Sequence, residues 1–254
     1  MHQPTARVIR ILESIAKDRR GKRLSDLSCE LDIPKSTLLP ILQSLCEFGY
    51  LSQDEIGAYH AGVTLFSLGA SLSGGFPTLD YVKKQLTSLV ERFGETCYFG
   101  VLDGGFVLYL DKVDSTNPLR ILVNTGRRLP AYSTGIGKAL LMDKSEEELR
   151  LMYPDGLSQI TPKTVADISA LARELSKGRR LGYVQEIEES TEHVRCYGVP
   201  IKKRGVTVAA ISMAVPTFRY DEAKGEAIRS ALMDAAAQIS ETVERTDARL
   251  DNIF

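Results

Sequence analysis

Apolar and polar positions along this chain change period several times, and each change marks a different element. Over residues 5–18, Val8, Ile11, Leu12 and Ile15 recur at helical spacing, with Ile9 and Ala16 off that stripe. Leu24, Leu27, Ser28 and Leu31 then fall at i, i+3, i+4 and i+7, which predicts a short second helix. Asp32 and Ile33-Pro34 break the period. Pro34 opens a third helix, because proline is tolerated in a first turn where no intrahelical N–H bond is lost. Leu38, Ile41, Leu42 and Leu45 give this helix one apolar face, and Gly49 can take the left-handed conformation that ends it. A connection of a few residues holds two helices at a steep angle, so the second can present its first turn to a major groove while the first crosses the backbone. Residues 50–53 and 58–61 read as strands around Asp54-Glu55-Ile56-Gly57, a hairpin where a wing would lie. Three helices and a hairpin predict an α-rich winged helix-turn-helix. Ile9 and Ala16 read either as a dimer seam or as the edge of the core.

Residues 63–72 continue as a helix carrying Leu65, Phe66, Leu68 and Leu72, until Ser73-Gly74-Gly75-Phe76-Pro77 interrupts it. Two glycines and a proline mark a hinge. The expected division is therefore a DNA-binding domain at 1–62, a linker helix and hinge at 63–77, and a second domain at 78–254. In that domain 78–93 is amphipathic, and 96–102 and 106–111 read as strands turned around Asp103-Gly104-Gly105. Further strands are expected at 119–123, 182–186, 193–201 and 206–215, with helices at 137–142, 145–152, 165–177 and 221–249. Helices flanking a sheet built from hairpins predict an α+β sensor domain.

Composition sets limits without choosing among folds. A chain of 254 residues with 43% hydrophobic content can bury two cores, and a charged fraction of 26% gives no sign of disorder. Cys29, Cys46, Cys97 and Cys196 form no CxxC pair and no metal-ligand spacing with His2, His60 and His193. That usage fits a reduced, cytoplasmic protein with no structural zinc, no metal site and no cofactor. No run approaches the roughly 20 apolar residues of a membrane span, so no membrane partner is expected. Over residues 1–60 eight basic side chains are balanced by eight acidic ones. Distribution offsets this neutrality, since Lys17, Arg19, Arg20, Lys22 and Arg23 precede the two-helix unit where phosphate contacts would fall. A solvated loop is the alternative reading of that run.

Candidate catalytic patterns fail on chemistry, and no catalytic residue is expected. Gly135-Ile136-Gly137-Lys138-Ala139 has Tyr132 where a phosphate loop needs its first glycine and Ala139 where Ser or Thr would hold magnesium. His193 and Cys196, three apart in an expected strand, would point to opposite faces. Glu186, Glu188, Glu189 and Glu192 read as an acidic loop between strands.

Three segments, Ala6-Arg7-Val8-Ile9-Arg10-Ile11-Leu12-Glu13, Leu31-Asp32-Ile33-Pro34-Lys35-Ser36-Thr37 and Leu45-Cys46-Glu47-Phe48-Gly49-Tyr50-Leu51, resemble the DNA-binding half of an IclR-type transcriptional regulator. The stretch from Gly126 to Leu141, Val194-Arg195-Cys196-Tyr197-Gly198-Val199-Pro200-Ile201 and the segment from Ala209 to Pro216 resemble the second half of the same family, in the same order. The resemblance implies that the second domain is GAF-like and binds a small effector. It implies contacts from the Ser-Thr-Gly-Ile-Gly-Lys loop and from the strand positions matched by Cys196 and Ser212, so Thr134, Gly135, Cys196 and Ser212 are the effector candidates. Glycines let backbone N–H groups converge on a polar or anionic group, and a helix starting near Gly137 adds its positive end. A buried strand cysteine is the alternative for Cys196. Arg120, Arg127 and Arg128 hint at an organic acid.

Two positions depart from the family pattern. Many relatives carry a second hydroxyl two residues after the first, where this chain has Ala214, which favours a smaller or less polar effector. Relatives also carry a polar pair, often with arginine, where this chain has Leu39-Pro40 in the recognition helix. DNA contacts then fall to Arg7, Ser25, Lys35, Ser36 and Thr37, with Tyr59 and His60 on the wing. The expected function is a DNA-binding regulator acting as a homodimer or dimer of dimers, a repressor released from its double-stranded operator by a small metabolite. An activator, or a thiol-based redox sensor or enzyme on a GAF-like domain, is the alternative.

Overall fold

Ile11 and Ile15 from one helix, Leu27 and Leu31 from a second, and Leu38 and Leu42 from a third pack with Ile33, Leu51 and Tyr59 into the core of the N-terminal unit. The computed structural model describes residues 2–18, 20–73, 77–121 and 123–245, and divides into units 1–76 and 77–254. The first unit runs α1 (Gln3–Ala16), β1 (Lys22–Arg23), α2 (Leu24–Leu31), α3 (Lys35–Glu47), β2 (Leu51–Gln53), β3 (Ala58–Ala61) and α4 (Val63–Ser73). Strand β3 lies between β1 and β2, antiparallel to both. Asp32 closes α2 in the left-handed conformation at φ 52°, so the chain reverses within three residues and enters α3. Helix α3 passes unbroken through Pro40, although the ring removes the amide that would bond the Ser36 carbonyl. Full burial of Leu38 and Leu42 on either side holds the helix to the core, offsetting a proline cost of about 3 kcal/mol in an ordinary helix interior.

The second unit follows as α5 (Pro77–Phe93), β4 (Thr96–Asp103), β5 (Phe106–Val113), β6 (Arg128–Pro130), α6 (Gly135–Leu140), α7 (Glu146–Met152), α8 (Ile168–Leu181), β7 (Val184–Ile187), β8 (Val194–Lys203), β9 (Val206–Pro216) and α9 (Glu222–Arg245). Its six strands form one antiparallel sheet in the order β6-β5-β4-β9-β8-β7. Period-two alternation assigns each strand's side chains to one of two cores. Cys97, Phe99, Val199, Ile211 and Met213 pack against α5 and α9, whereas Tyr98, Tyr109, Val194, Ala210 and Ala214 pack against α6, α7 and α8. Both faces are covered, which is why these strands read as nearly continuous apolar runs.

Two expectations are corrected. No strand is described at 119–123: Leu119 lies in a bend and is exposed, residues 120, 121 and 123 are irregular, and Leu122 lies outside the described residues. Pro118 donates no amide, and the Tyr98 hydroxyl ties the segment down instead, donating to the Ile121 carbonyl at 2.7 Å and accepting from Val123 N at 3.3 Å. The edge strand is β6. His193 sits outside β8 at φ 63°, so the opposite-faces argument for His193 and Cys196 does not apply. The expected tail of the last helix at 246–249 lies outside the described residues.

Helix α6 meets β8 backbone to backbone. A Cβ on Gly198 would fall on the Gly135 carbonyl, and one on Gly135 would stand 2.7 Å from the Cys196 Cβ. One turn on, the fully buried Lys138 ammonium pairs with both oxygens of Glu174 on α8 at 2.9 Å and with Glu189 in the β7–β8 loop. Burial raises the Glu189 carboxyl above its ordinary value, with Lys138 pulling the other way.

Removing one partner from a buried ion cluster leaves an uncompensated charge, at about 3–5 kcal/mol. Lys138→Met is therefore expected to lower urea stability by that amount, and adding Glu189→Leu to recover more than half of it. In the first unit Asp54 accepts from Ile56 N, Ala58 N and His60 Nε2 at 3.1, 2.8 and 2.8 Å. The His60 bond, then the Ala58 amide, hold the Asp54 carboxyl below its ordinary value. A depressed carboxyl stabilises the hairpin above the unfolded value near 3.9 and loses that contribution as pH falls through the folded value. Hydrogen-exchange protection at Ile56 and Ala58 should decline below about pH 4, and Asp54→Asn should already lack it at neutral pH.

Candidate functional site

The turn between α2 and α3 brings the start of α3 to the surface. Lys35 and Ser36 are exposed and Thr37 is partly so, on a helix whose opposite face is buried through Leu38 and Leu42. Their exposure follows from the period of the helix, since the residues that enter the core begin one turn later. Ser25 is also exposed, its hydroxyl donating to Asp26 at 3.1 Å, and Arg7 is half-buried on α1. The wing differs from expectation. Tyr59 is buried in the core of the unit because alternation along β3 turns it inward, which removes it as a surface contact. His60 is held by Asp54 and lies over Gly21, where a Cβ would collide with the imidazole.

Part of the basic run is engaged within the unit. Lys22 pairs with Glu30 and donates to Ser14 Oγ at 3.0 Å, while Ser14 itself donates to Glu30 at 2.9 Å. Arg23 caps α2 through its backbone amide, which donates to Asp26 at 3.1 Å. Lys17 and Arg20 remain exposed, and Arg19 lies outside the described residues.

In the second unit Thr134, Gly135, Cys196 and Ser212 converge. Thr134 is buried and caps α6, its hydroxyl accepting from Gly137 N at 3.1 Å. Cys196 faces Gly135 across the helix–strand contact and is paired in register with Ala214 on one side and Glu186 on the other. Ser212 lies between Gly198 and Tyr98 in the sheet. All stand on the face covered by α6, and Tyr98 and Tyr109 stack edge to face there with ring centroids 5.4 Å apart. A groove of about 250 Å³ between α8 and β7, lined by Glu174, Lys177, Leu181, Tyr183, Gln185 and Glu189 among others, includes none of the four predicted residues.

Two residues of this cluster escaped the sequence reading. Glu186 is a fully buried strand residue and not part of an acidic loop; its Oε1 accepts from the amides of Glu189 and Ser190, and its Oε2 has no hydrogen-bond partner among the described residues. Burial pushes its carboxyl up to about 7, against the opposing pull of the two amides. Its position two residues after Val184 in a strand was the available signal. Lys138, singled out only as a failed phosphate-loop lysine, is the buried cation that fixes α6. Burial also raises the Cys196 and Cys97 thiols far above their ordinary value, leaving little thiolate for redox or nucleophilic chemistry. No group of His, Cys, Asp and Glu able to hold a metal occurs among the described residues, and no helix among them is long and apolar enough to cross a membrane.

Both units match known proteins. Residues 4–55 match the profile of the IclR helix-turn-helix domain, and residues 77–241 match that of the bacterial transcriptional regulator IclR C-terminal region. The chain is 32% identical to the HTH-type transcriptional regulator XynR of Escherichia coli, over 94% of this chain and 96% of that protein. It is 31% identical to the HTH-type transcriptional repressor AllR of the same species, over 93% and 90%. Among solved structures, an IclR homologue from Microbacterium hydrocarbonoxydans complexed with 4-hydroxybenzoate is 26% identical, with a TM-score of 0.81, over 95% or nearly so of each chain: 94% of this one and 98% of that one. With a reading helix exposed in one unit, a polar cluster buried in the other, and matches that span nearly the whole chain, this protein belongs to the IclR family and is a DNA-binding transcriptional regulator.

Proposed function

We propose that the protein is a repressor that leaves its operator when a small carboxylic acid binds among Thr134, Gly135, Cys196, Ser212 and Glu186. The observation that carries this reading is the placement of these polar groups together on one face of a sheet that is otherwise apolar, with Glu186 Oε2 left without a hydrogen-bond partner among the described residues, which a ligand with a matching polar atom would supply. The 4-hydroxybenzoate held by a 26%-identical relative supports an organic acid as the class. Ala214 beside Cys196 supplies no hydroxyl, which favours a less polar acid than a serine at that position would. Binding shifts operator occupancy only by its differential affinity for the DNA-competent and released states.

Lys35, Ser36 and Thr37 read the operator, with Arg7 and Ser25 on phosphates and the His60-bearing wing beside them. The protein acts in the cytoplasm as a homodimer or dimer of dimers. Support for self-association comes from the first unit, where Ile9, Phe48, Val63 and Phe66 are exposed and a groove of about 380 Å³ runs between Val8 on α1 and Pro40, Ile41 and Leu45 on α3.

Lys35→Ala is expected to weaken binding to the promoter region beside the protein's own gene and to lower the slope of log K against log salt by about 1, as read by salt-titrated gel shift. Tyr59→Phe should leave that slope unchanged. Ala214→Ser should shift acid preference from benzoate toward pyruvate by about fivefold, in line with about 1 kcal/mol for one added hydrogen bond, measured as the concentration that releases operator DNA.

A further inference from the structure

Glu186 poses a problem that the effector reading does not resolve. A carboxyl with no exposed surface is the wrong sign to receive an organic anion, because two carboxylates buried side by side repel strongly. Its two oxygens are not equivalent. Oε1 accepts from the backbone amides of Glu189 and Ser190, which fix the group in place, while Oε2 is buried with no hydrogen-bond partner among the described residues. An acid that keeps one oxygen on two amides and leaves the other free carries its proton on the free oxygen.

We propose that this regulator captures a carboxylate effector together with a proton: Glu186 binds as the neutral acid, and its Oε2–H donates to the effector carboxylate. Where Glu186 is ionised in the empty protein, each anion bound takes one proton from solvent onto Oε2, so the complex gains one proton and no bond of the effector breaks. The inference rests on the reading of this cluster as the effector site and adds what that reading lacks, the protonation state in which the site works.

The surroundings favour the neutral acid. Cys196 faces Glu186 from β8 with its thiol neutral, and its interaction with the carboxyl, like the two amides, pulls Glu186 down less than burial pushes it up. Tyr98 and Tyr109 come from β4 and β5, both with hydroxyls raised above their ordinary value by burial. On β9 the neighbouring Ser212 and Ala214 do not titrate. Glu189, from the loop that also supplies the two amides, has its carboxylate engaged by Lys138 of α6, which it shares with Glu174 of α8. Lys138 is thus already held by two carboxylates and is not available to an anionic Glu186. Burial raises the Glu186 carboxyl to about 7, inside the range where a bacterial cytoplasm could tune it. Below that value the site is loaded with its proton and affinity is independent of pH. Above it the competent fraction falls about tenfold per pH unit, and apparent affinity falls with it.

The test is calorimetry of benzoate and of pyruvate with the full chain between pH 6 and 8.5, each in phosphate and in Tris so that buffer heat reports proton uptake. The expected result is a dissociation constant that is flat below about pH 7 and rises about tenfold per unit above it, with uptake approaching one proton per acid bound. Glu186→Gln presents an amide donor that needs no proton, so the variant should bind with a flat pH profile and no uptake. In parallel, the ¹³C resonance of the Glu186 carboxyl should titrate near neutrality in the ligand-free protein. If an acid binds equally well at pH 6 and 8.5 with no uptake, or if the carboxyl titrates below pH 5, proton capture is overturned while the effector reading stands. If neither acid binds at pH 6 to protein that melts cooperatively and shifts its operator DNA, the carboxylate reading fails and this inference with it.

Discussion

The contact between α6 and β8 is the constraint on which the second unit depends. A helix and a strand meet there at backbone distance, and only glycines at 135 and 198 leave room for it. Gly137 does the same for the preceding turn, since a Cβ on it would overlap the Ala131 backbone. So close an approach brings backbone polar groups out of water, and the chain compensates with a hydroxyl cap from Thr134 and a buried ammonium one turn later. Lys138 pulls Glu174 and Glu189 onto the same point, tying α8 and the β7–β8 loop to α6. Glu189 in turn places its amide on Glu186. Four elements around the polar cluster are therefore fixed by one glycine-enabled contact and one ion cluster.

Charge is used differently in the two units. In the second it is buried and internally matched, where it orders a loop and holds a carboxyl in an environment that favours its neutral form. In the first it lies at the surface or half-buried, and part of it serves the fold: Lys22 bridges α1 and α2 through Ser14 and Glu30, and Asp54 organises the hairpin. A neutral sum over residues 1–60 is compatible with DNA binding, because the sum says nothing of placement and the exposed start of α3 keeps Lys35.

Pro40 illustrates how tertiary packing decides a local conflict. By propensity it argues against a helix interior, yet α3 continues through it between two fully buried leucines. The Pro40 carbonyl accepts from Ser44 Oγ at 3.0 Å, so the following turn gains a local bond. In this helix Leu39 is exposed, so under the proposed mode of DNA binding base reading falls to its first turn.

What the sequence alone determined is the set of features encoded within a turn or two of chain. The α2–α3 reversal, the hairpin around 54–57 and the alternation of β8 and β9 all depend on neighbours in sequence, the linear motifs pointed to Thr134, Cys196 and Ser212, and the expected glycine hinge at 74–76 lies outside the described residues. The strand at 119–123 was misread because its apolar residues satisfy a local pattern while pairing requires a partner, and β5 takes 128–130 instead. Tyr59 was placed at the surface because a one-residue offset decides which way a strand side chain points. Only the tertiary structure could decide the roles of Lys138, Glu186 and Glu189, since Lys138 and Glu189 stand 51 residues apart and look like ordinary surface charges in sequence. Whether a charged side chain meets water or a counter-charge is a property of the packed interior, and no local period carries it.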